Sequence, residues 1–242
     1  MRTKSYDMKK ILAMLCILVV NNLIARDFDP KDTWAYLYED FTPGKVYNSK
    51  GDIILEGKVN VSVLDGKLHY VKGDKIMEAD MLQVYSVTIT ETKEDRYSST
   101  TQEDFYMNVG GKMMRVVSRS DKSAVLESVE VDMDKLSKAE IGYGITSSSA
   151  SVQGVHMAAM SSLVSTTYID ANEKKGSGER IPIKEHTYLL TRGTLVIAKK
   201  REVVKLPGLD RKAAEAFFKE EKIKWNSAED LQKVADYISD NR

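Results

Sequence analysis

The stretch Ile53-Ile-Leu-Glu-Gly-Lys-Val-Asn-Val-Ser-Val-Leu64 decides the fold. Two sets of side chains alternate along it: Ile53, Leu55, Val59, Val61 and Val63 on one parity, and Glu56, Lys58, Asn60 and Ser62 on the other. A period of two predicts a strand with the first set facing the core and the second facing water, as in an antiparallel sheet. Gly57 lies on the apolar parity, which predicts a bulge or a close approach by another element.

Turn signals and further alternating segments extend this pattern along the chain. Ser49-Lys50-Gly51-Asp52 precede the strand and Asp65-Gly66 follow it, so hairpins are expected on both sides. Further strands are predicted at residues 34–38, 68–71, 84–90, 104–109, 112–117, 124–131, 181–190 and 194–198. A meander of about seven or eight strands before residue 131 is typical of a barrel or a sandwich.

After Lys199 the apolar period changes from two to 3.6. Asp210 is placed to cap a first helix, and Ser227 with Asp230 resembles a capping box that opens a second. Both helices are amphipathic, and Trp225 between them is expected to anchor the turn. The predicted fold class is therefore α+β: a mainly antiparallel β meander, barrel- or sandwich-like, followed by two C-terminal amphipathic helices.

The predicted organisation has four parts. Residues 1–25 are a signal peptide, and residues 26–141 are an antiparallel β-rich region. Residues 142–178 are a serine-rich segment of loops or polar strands, with a hairpin tip at residues 176–178. Residues 179–242 are a hairpin and two helices that are expected to pack on the same core.

The N-terminus has the pattern of a secretory signal peptide. Basic residues precede an apolar run at 11–20, and Ala25 is a small residue at a plausible cleavage point. The apolar run is shorter than the roughly 20 residues that span a bilayer, which favours cleavage over a retained anchor. Two further hypotheses are a translation start at Met8 and a lipoprotein at Cys16, although Leu15 is large for a lipidation site.

Charge and cysteine content depend on this cleavage. The whole chain has 36 basic and 36 acidic side chains, whereas the chain without residues 1–25 has 32 and 35, a net charge of −3. Cleavage also removes Cys16, the only cysteine, and so excludes disulfides, cysteine nucleophiles and thiolate zinc sites from the mature protein. The mild acidity argues against nucleic acid or anionic lipid as a partner.

Two groups of residues are candidates for ligand or metal binding. Trp34, Tyr36 and Tyr38 alternate, so in a strand their rings would share a face and could stack on a sugar; the alternative is that they cover the core. Glu130, Asp132 and Asp134 share a parity and could bind calcium or act as paired acids. The alternative for these carboxylates is a solvated face beside lysines.

No catalytic motif is present. The histidines at 69, 156 and 186 are widely spaced, and the nucleophile-elbow, phosphate-loop and dinucleotide fingerprints are absent from the sequence. The sequence therefore predicts no catalytic residue and no cofactor.

Several segments occur in an order that resembles a known family. They are Tyr36-Leu37-Tyr38-Glu39-Asp40-Phe41, Gly44-Lys45-Val46, Leu64-Asp65-Gly66-Lys67-Leu68, residues 84–89, the serine-rich middle with Gly142-Tyr143-Gly144, and the hairpin 188–198 that leads into the helices. Over residues 34–238 the chain is similar to a family of secreted proteins of uncharacterised function in Bacteroidota. The shared motifs are turns, strands and caps, so the resemblance implies a Gram-negative envelope protein and carries over no functional residue.

These observations favour an exported cell-envelope protein, in the periplasm or at the cell surface, that binds a protein or a glycan without catalysing a reaction. The alternative is a secreted hydrolase that uses carboxylates or a Ser/His/Asp site. No transmembrane span is expected after signal cleavage, and the sequence leaves the oligomeric state open.

Overall fold

The computed structural model describes residues 32–95, 98–135, 166–176 and 181–242. The strands are β1 (Asp32–Thr33), β2 (Thr42–Tyr47), β3 (Ile53–Val61), β4 (Leu68–Lys72), β5 (Lys75–Glu78), β6 (Ser86–Asp95), β7 (Ser98–Val109), β8 (Lys112–Arg119), β9 (Ser123–Val131), β10 (Ile181–Thr191) and β11 (Thr194–Ile197). The helices are α1 (Tyr168–Gly176), α2 (Lys200–Val203), α3 (Arg211–Glu220) and α4 (Ala228–Asn241). The predicted signal peptide, His156 and most of the serine-rich segment lie outside the described residues.

The strands form one antiparallel sheet in the order β1-β10-β9-β8-β7-β6-β2-β3-β4-β5, and β11 also pairs with β10. Two meanders, β2 to β5 and β6 to β10, are joined where β2 pairs with β6. The sheet curls into a half-barrel. The turn between β3 and β4 meets the start of β8, because Met113 N donates to Gly66 O at 2.7 Å. The predicted α+β class, with two helices near the C-terminus, is confirmed.

The predicted alternation of buried and exposed side chains is found along only part of β3. Val59 and Val61 are buried as predicted, but Ile53, at the start of the strand, is exposed. Asn60 and Ser62 were expected to face water, yet both are buried. The reason is that residues 34–41 cover this end of the strand, so both of its faces are shielded there.

Residues 34–38 form an irregular segment rather than the predicted strand. A single bridge joins Tyr36 to Ser62, flanked by backbone hydrogen bonds from Leu37 N to Val61 O and from Val63 N to Ala35 O, both 3.0 Å. Beyond this bridge the side chain of Asn60 takes the place of backbone-to-backbone hydrogen bonds, because its Oδ1 accepts from Tyr38 N and its Nδ2 donates to Tyr38 O. The alternation of the three aromatic rings is therefore lost.

Helix α1 occupies part of the segment predicted to be loop or polar strand. Its last turn reaches residues 39–40: Lys175 Nζ donates to Asp40 Oδ1 at 2.7 Å and to Glu39 O at 2.9 Å. The same ammonium lies 5.7 Å from the centre of the Trp34 ring. Gly176, predicted as part of a hairpin tip, instead ends this helix.

The two C-terminal helices begin at the predicted caps and share a buried cluster with β9 and β10. Asp210 Oδ1 accepts the amides of Lys212 and Ala213 at 2.8 and 3.2 Å. Ser227 Oγ accepts Asp230 N at 3.4 Å, but the Asp230 carboxylate accepts Lys224 N rather than completing a reciprocal box. The shared cluster includes Val125, Leu189, Val203, Ala214, Phe218, Leu231, Val234 and Ile238, with Trp225 packed against it.

None of the helices in the described part of the chain is both long enough and apolar enough to cross a membrane.

Glycine is required at Gly44 rather than at Gly57, although the two residues are register partners. No atom lies within 4 Å of where a Cβ would be at Gly57, so the expected close approach is absent there. At Gly44 an added Cβ would overlap Val59 Cγ2 and lie 3.1 Å from Thr88 O. The irregularity in the β2–β3 register also falls elsewhere, between Val46 and Tyr47.

Gly44→Ala is expected to lower the free energy of unfolding by about 1–3 kcal/mol, because the new methyl group overpacks the buried Val59. Gly57→Ala is the matched control and should change it by less than about 1 kcal/mol. Urea unfolding followed by circular dichroism measures both. Equal losses in the two variants would contradict the close approach at Gly44.

Candidate functional site

The three candidate aromatic residues lie in the interior. Trp34 and Tyr36 pack together with ring centres 5.0 Å apart, in a cluster that also contains Phe41. Tyr38 points into a different cluster, beside Tyr106. Because the rings are buried in two separate places, they present no common face on which a sugar could stack.

The three candidate carboxylates near the end of β9 do not converge. Glu130 pairs with Lys112 at 3.2 Å, and Asp132 accepts the backbone amide of Lys135 at 3.1 Å. Asp134 is exposed in the helical residues 133–135 that follow. Each carboxylate is thus near the surface, and the first two have lysine partners, as in the solvated alternative.

A polar network crosses the inner face of the sheet. The Tyr38 hydroxyl donates to Asp104 Oδ2 at 2.7 Å and lies 2.9 Å from the Tyr106 hydroxyl. Gln102 Nε2 donates to the other oxygen of Asp104 at 3.0 Å. Arg115, on the next strand, lies 3.9 Å from Asp104. These residues satisfy one another, as buried polar groups must.

The pKa shifts of Tyr38 and Arg115 indicate that this network has a structural role. Burial, together with Tyr106 and Asp104, raises the pKa of Tyr38 far above its usual range. Burial alone would lower the pKa of Arg115, but the paired Glu127 carboxylate outweighs it, so the pKa of Arg115 is raised. Tyr38 therefore stays protonated and Arg115 stays charged at neutral pH, and neither is suited to proton transfer.

A second polar cluster, the His69 cluster, consists of Asp65, His69 and Glu78. Each residue offers one ligand atom, and these atoms lie within 4.8 Å of one another. The β4–β5 register places His69 directly opposite Glu78, and Asp65 lies in the turn before β4. It is the one such group of three among the residues that the structure describes.

Two neighbours hold the cluster in place. The Tyr36 hydroxyl lies 3.0 Å from His69 Nδ1, and the two rings meet edge to face with centres 5.6 Å apart. Lys67 donates its backbone amide to Asp65 Oδ1 at 3.1 Å and its ammonium to Glu78 Oε1 at 2.7 Å. The His69 ring is thus oriented by a buried phenol, and the two carboxylates are fixed by one lysine.

The His69 ring is neutral near pH 7. Burial lowers the pKa of His69, and the attraction of Asp65 and Glu78 only partly offsets this. Burial likewise raises the pKa of Tyr36, with a smaller contribution from Asp65. His69 Nε2 is buried and has no hydrogen-bond partner in the described protein. A buried nitrogen without a hydrogen-bond partner is rare in folded proteins, so His69 Nε2 requires an explanation.

Sequence reasoning missed this cluster because its members come from three different places. Asp65 belongs to a predicted Asp-Gly turn, and His69 has no other histidine near it in the sequence. Glu78 lies on β5, which the alternation did not predict. The signal that could have found it is the Lys72-Gly73-Asp74 turn, because a short hairpin around it brings residues 69 and 78 opposite each other.

A third feature is the apolar rim, defined as Ile53, Leu82 and Tyr85. Their exposed fractions are 50%, 98% and 48%. Tyr47, at the end of β2, pairs with Ile53, and its carbonyl accepts Tyr85 N at 2.8 Å. The turn that carries Leu82 is tied to the end of β7 by Asn108. All three side chains therefore lie at the same end of the sheet.

Comparison with models of protein families, with curated proteins and with solved structures finds no match to this chain.

Replacing Tyr38 with Phe tests the inner network. The variant is expected to lose about 1–3 kcal/mol of unfolding free energy at pH 7, because Asp104 loses a buried donor. Since folding raises the pKa of Tyr38 above its unfolded value of 10.0, the native state keeps a proton that the unfolded chain loses. The contribution of Tyr38 to the unfolding free energy is thus fully present below pH 10. Above pH 10 it declines by about 1.4 kcal/mol per pH unit.

Between pH 9.5 and 11.5, the unfolding free energy of Tyr38→Phe should therefore fall less steeply than that of the wild type. Tyr85→Phe, at a half-exposed ring, should keep the wild-type slope. Urea unfolding at several pH values measures the slopes. Identical slopes for Tyr38→Phe and the wild type would refute the role of this hydroxyl.

Proposed function

We propose that this chain is an exported cell-envelope module that binds a protein partner through the apolar rim. The observation that carries the proposal is Leu82, which is 98% exposed on an ordered turn. An exposed leucine on a mobile tail would mean little. A leucine that the fold holds in water has an unfavourable hydration free energy, and binding of a partner that covers the side chain removes this cost.

The turn that presents Leu82 is fixed from both sides. The Asp80 side chain accepts Leu82 N at 3.1 Å, and the Asp80 carbonyl accepts Gln83 N at 2.9 Å and Val84 N at 3.2 Å. The Asn108 amide donates to Met81 O at 2.6 Å and to Val84 O at 2.8 Å. Little conformational entropy remains to be lost on binding, which favours an interaction surface.

The composition of the rim favours a protein over a glycan. A leucine, an isoleucine and a tyrosine at the end of one sheet resemble the apolar centre of a protein interface. A glycan site would need an exposed aromatic platform with polar groups around it, whereas Trp34, Tyr36 and Tyr38 are buried. The partner that fits is therefore a protein with an apolar patch of its own.

Export rests on the sequence alone. The basic start, the short apolar run and Ala25 support a cleaved signal peptide. The resemblance to secreted proteins of Bacteroidota agrees with this interpretation. The absence of cysteine from the mature chain fits a fold that is stabilised by packing in an oxidising compartment.

The test is affinity capture from the native cell envelope. The protein is expressed with its own N-terminus and a C-terminal tag, cross-linked in cells and purified. We expect the wild type to recover one protein in stoichiometric amount. Leu82→Ser combined with Tyr85→Ser should lose it, because both exposed apolar contacts are removed.

Ile169→Ser is the matched control, because Ile169 is a 65% exposed apolar residue on α1, outside the rim. It should recover the same partner as the wild type. Intact mass of the purified protein should show a chain that begins at Arg26. Equal recovery by the rim variant, recovery of a polysaccharide instead of a protein, or a bait that retains residues 1–25 would each contradict the proposal.

A further inference from the structure

We propose that the His69 cluster is a zinc site, with His69 Nε2 and one oxygen each from Asp65 and Glu78 as ligands. This inference is independent of the apolar rim. It rests on the convergence of one ring nitrogen of His69 and one oxygen each of Asp65 and Glu78 within 4.8 Å. We assign the ligand nitrogen as Nε2, because Nδ1 is 3.0 Å from the Tyr36 hydroxyl whereas Nε2 is buried without a partner. An ion at the centre of the three would give that nitrogen the partner it lacks.

The donor set selects the ion. One imidazole nitrogen and two carboxylate oxygens suit Zn²⁺, which bonds His nitrogen and Asp or Glu oxygen at about 2.0–2.2 Å. Ca²⁺ takes about six to eight oxygen ligands, and Mg²⁺ keeps most of its water, so neither would use the imidazole. Three protein ligands leave a fourth tetrahedral position for water or for a group on a bound molecule.

Tyr36 prepares the histidine for this role. A metal ion at Nε2 requires the ring proton at Nδ1, and the Tyr36 oxygen at 3.0 Å can accept it. A second hydrogen-bonded group of this kind is usual behind a metal-bound histidine, because it fixes both the tautomer and the ring plane.

The ammonium group of Lys67 would compete with a metal ion for the Glu78 carboxylate. Its ammonium lies 2.7 Å from Glu78 Oε1 and supplies the positive charge that the two carboxylates attract. The side chain is partly exposed, so it can swing into water when a divalent ion arrives. The arrangement predicts that zinc binding and the Lys67–Glu78 ion pair exclude each other.

This competition can be tested by substituting Lys67, a surface residue whose replacement is expected to leave the fold intact. The untagged mature chain, residues 26–242, is stripped with EDTA, and Zn²⁺ is titrated by calorimetry. We expect one ion per chain. Lys67→Met should tighten binding about twofold to fivefold, because removing an exposed ion-pair partner frees Glu78. His69→Gln should weaken it at least about tenfold.

Two control variants separate the site from general effects. Lys45→Met removes a similar surface lysine that pairs with Glu56 on β3, and it should leave zinc affinity unchanged. His186→Gln removes a histidine on β10 and should also bind as the wild type does. Circular dichroism verifies that each variant is folded.

Three results would overturn the proposal. The first is that the wild type does not bind Zn²⁺ at 1:1 stoichiometry. The second is an unchanged zinc affinity in a folded His69→Gln variant, and the third is an unchanged or weaker zinc affinity in Lys67→Met. Because Lys67 is on the surface, the third result is informative even if His69→Gln does not fold.

Discussion

The side chain of Asn60 holds the N-terminal segment against the sheet. It accepts Tyr38 N at 3.1 Å and donates to Tyr38 O at 2.9 Å and to Asp40 O at 3.0 Å. The residue is 0% exposed, so these bonds replace water completely. An unpaired buried amide would cost about 1–3 kcal/mol, whereas the paired one fixes a segment that has no regular ladder of its own. Both polar clusters depend on this connection. The segment that it attaches places the Tyr38 hydroxyl against the Asp104 carboxylate and the Tyr36 hydroxyl beside His69 Nδ1.

The C-terminal helices pack on β9 and β10. The apolar face of α4 is buried with Val125 and Leu189, and its polar edge reaches the β8–β9 hairpin. There Ser120 and Ser123 both donate to Asp236, at 2.6 and 2.7 Å, and Ser118 donates to Gln232 at 2.6 Å. Residues 34–41 are thus attached to β3 by Asn60, and α4 is attached to the β8–β9 hairpin by these side-chain hydrogen bonds. Most of the residues that we propose to be functional lie on turns and short strands, as is usual for functional residues on a rigid scaffold.

Local signals predicted much of this fold. The alternation located β3, β4, parts of β6 and β7, and β8 to β11, because side-chain period is a property of the strand itself. Asp210 and Ser227 marked the helix starts because capping involves only neighbouring residues. Strand β2 was missed because Pro43 and Gly44 interrupt its pattern, and β5 because it has only four residues. The burial of Asn60 could not be predicted, since it depends on a segment about 20 residues away. The His69 cluster is similar in part: the Lys72-Gly73-Asp74 turn is a signal for the pairing of β4 with β5, but no sequence pattern records the contact between Tyr36 and His69.

The attachment of residues 34–41 to the sheet by Asn60 is tested most directly by amide hydrogen exchange at Tyr38. The segment is not a strand, so the protection of Tyr38 N–H depends on the Asn60 side chain. We predict that this amide exchanges as slowly as that of Val87 in β6, through global unfolding. Exchange of Tyr38 N–H in the folded wild type at the rate of an unprotected peptide would contradict this role of Asn60.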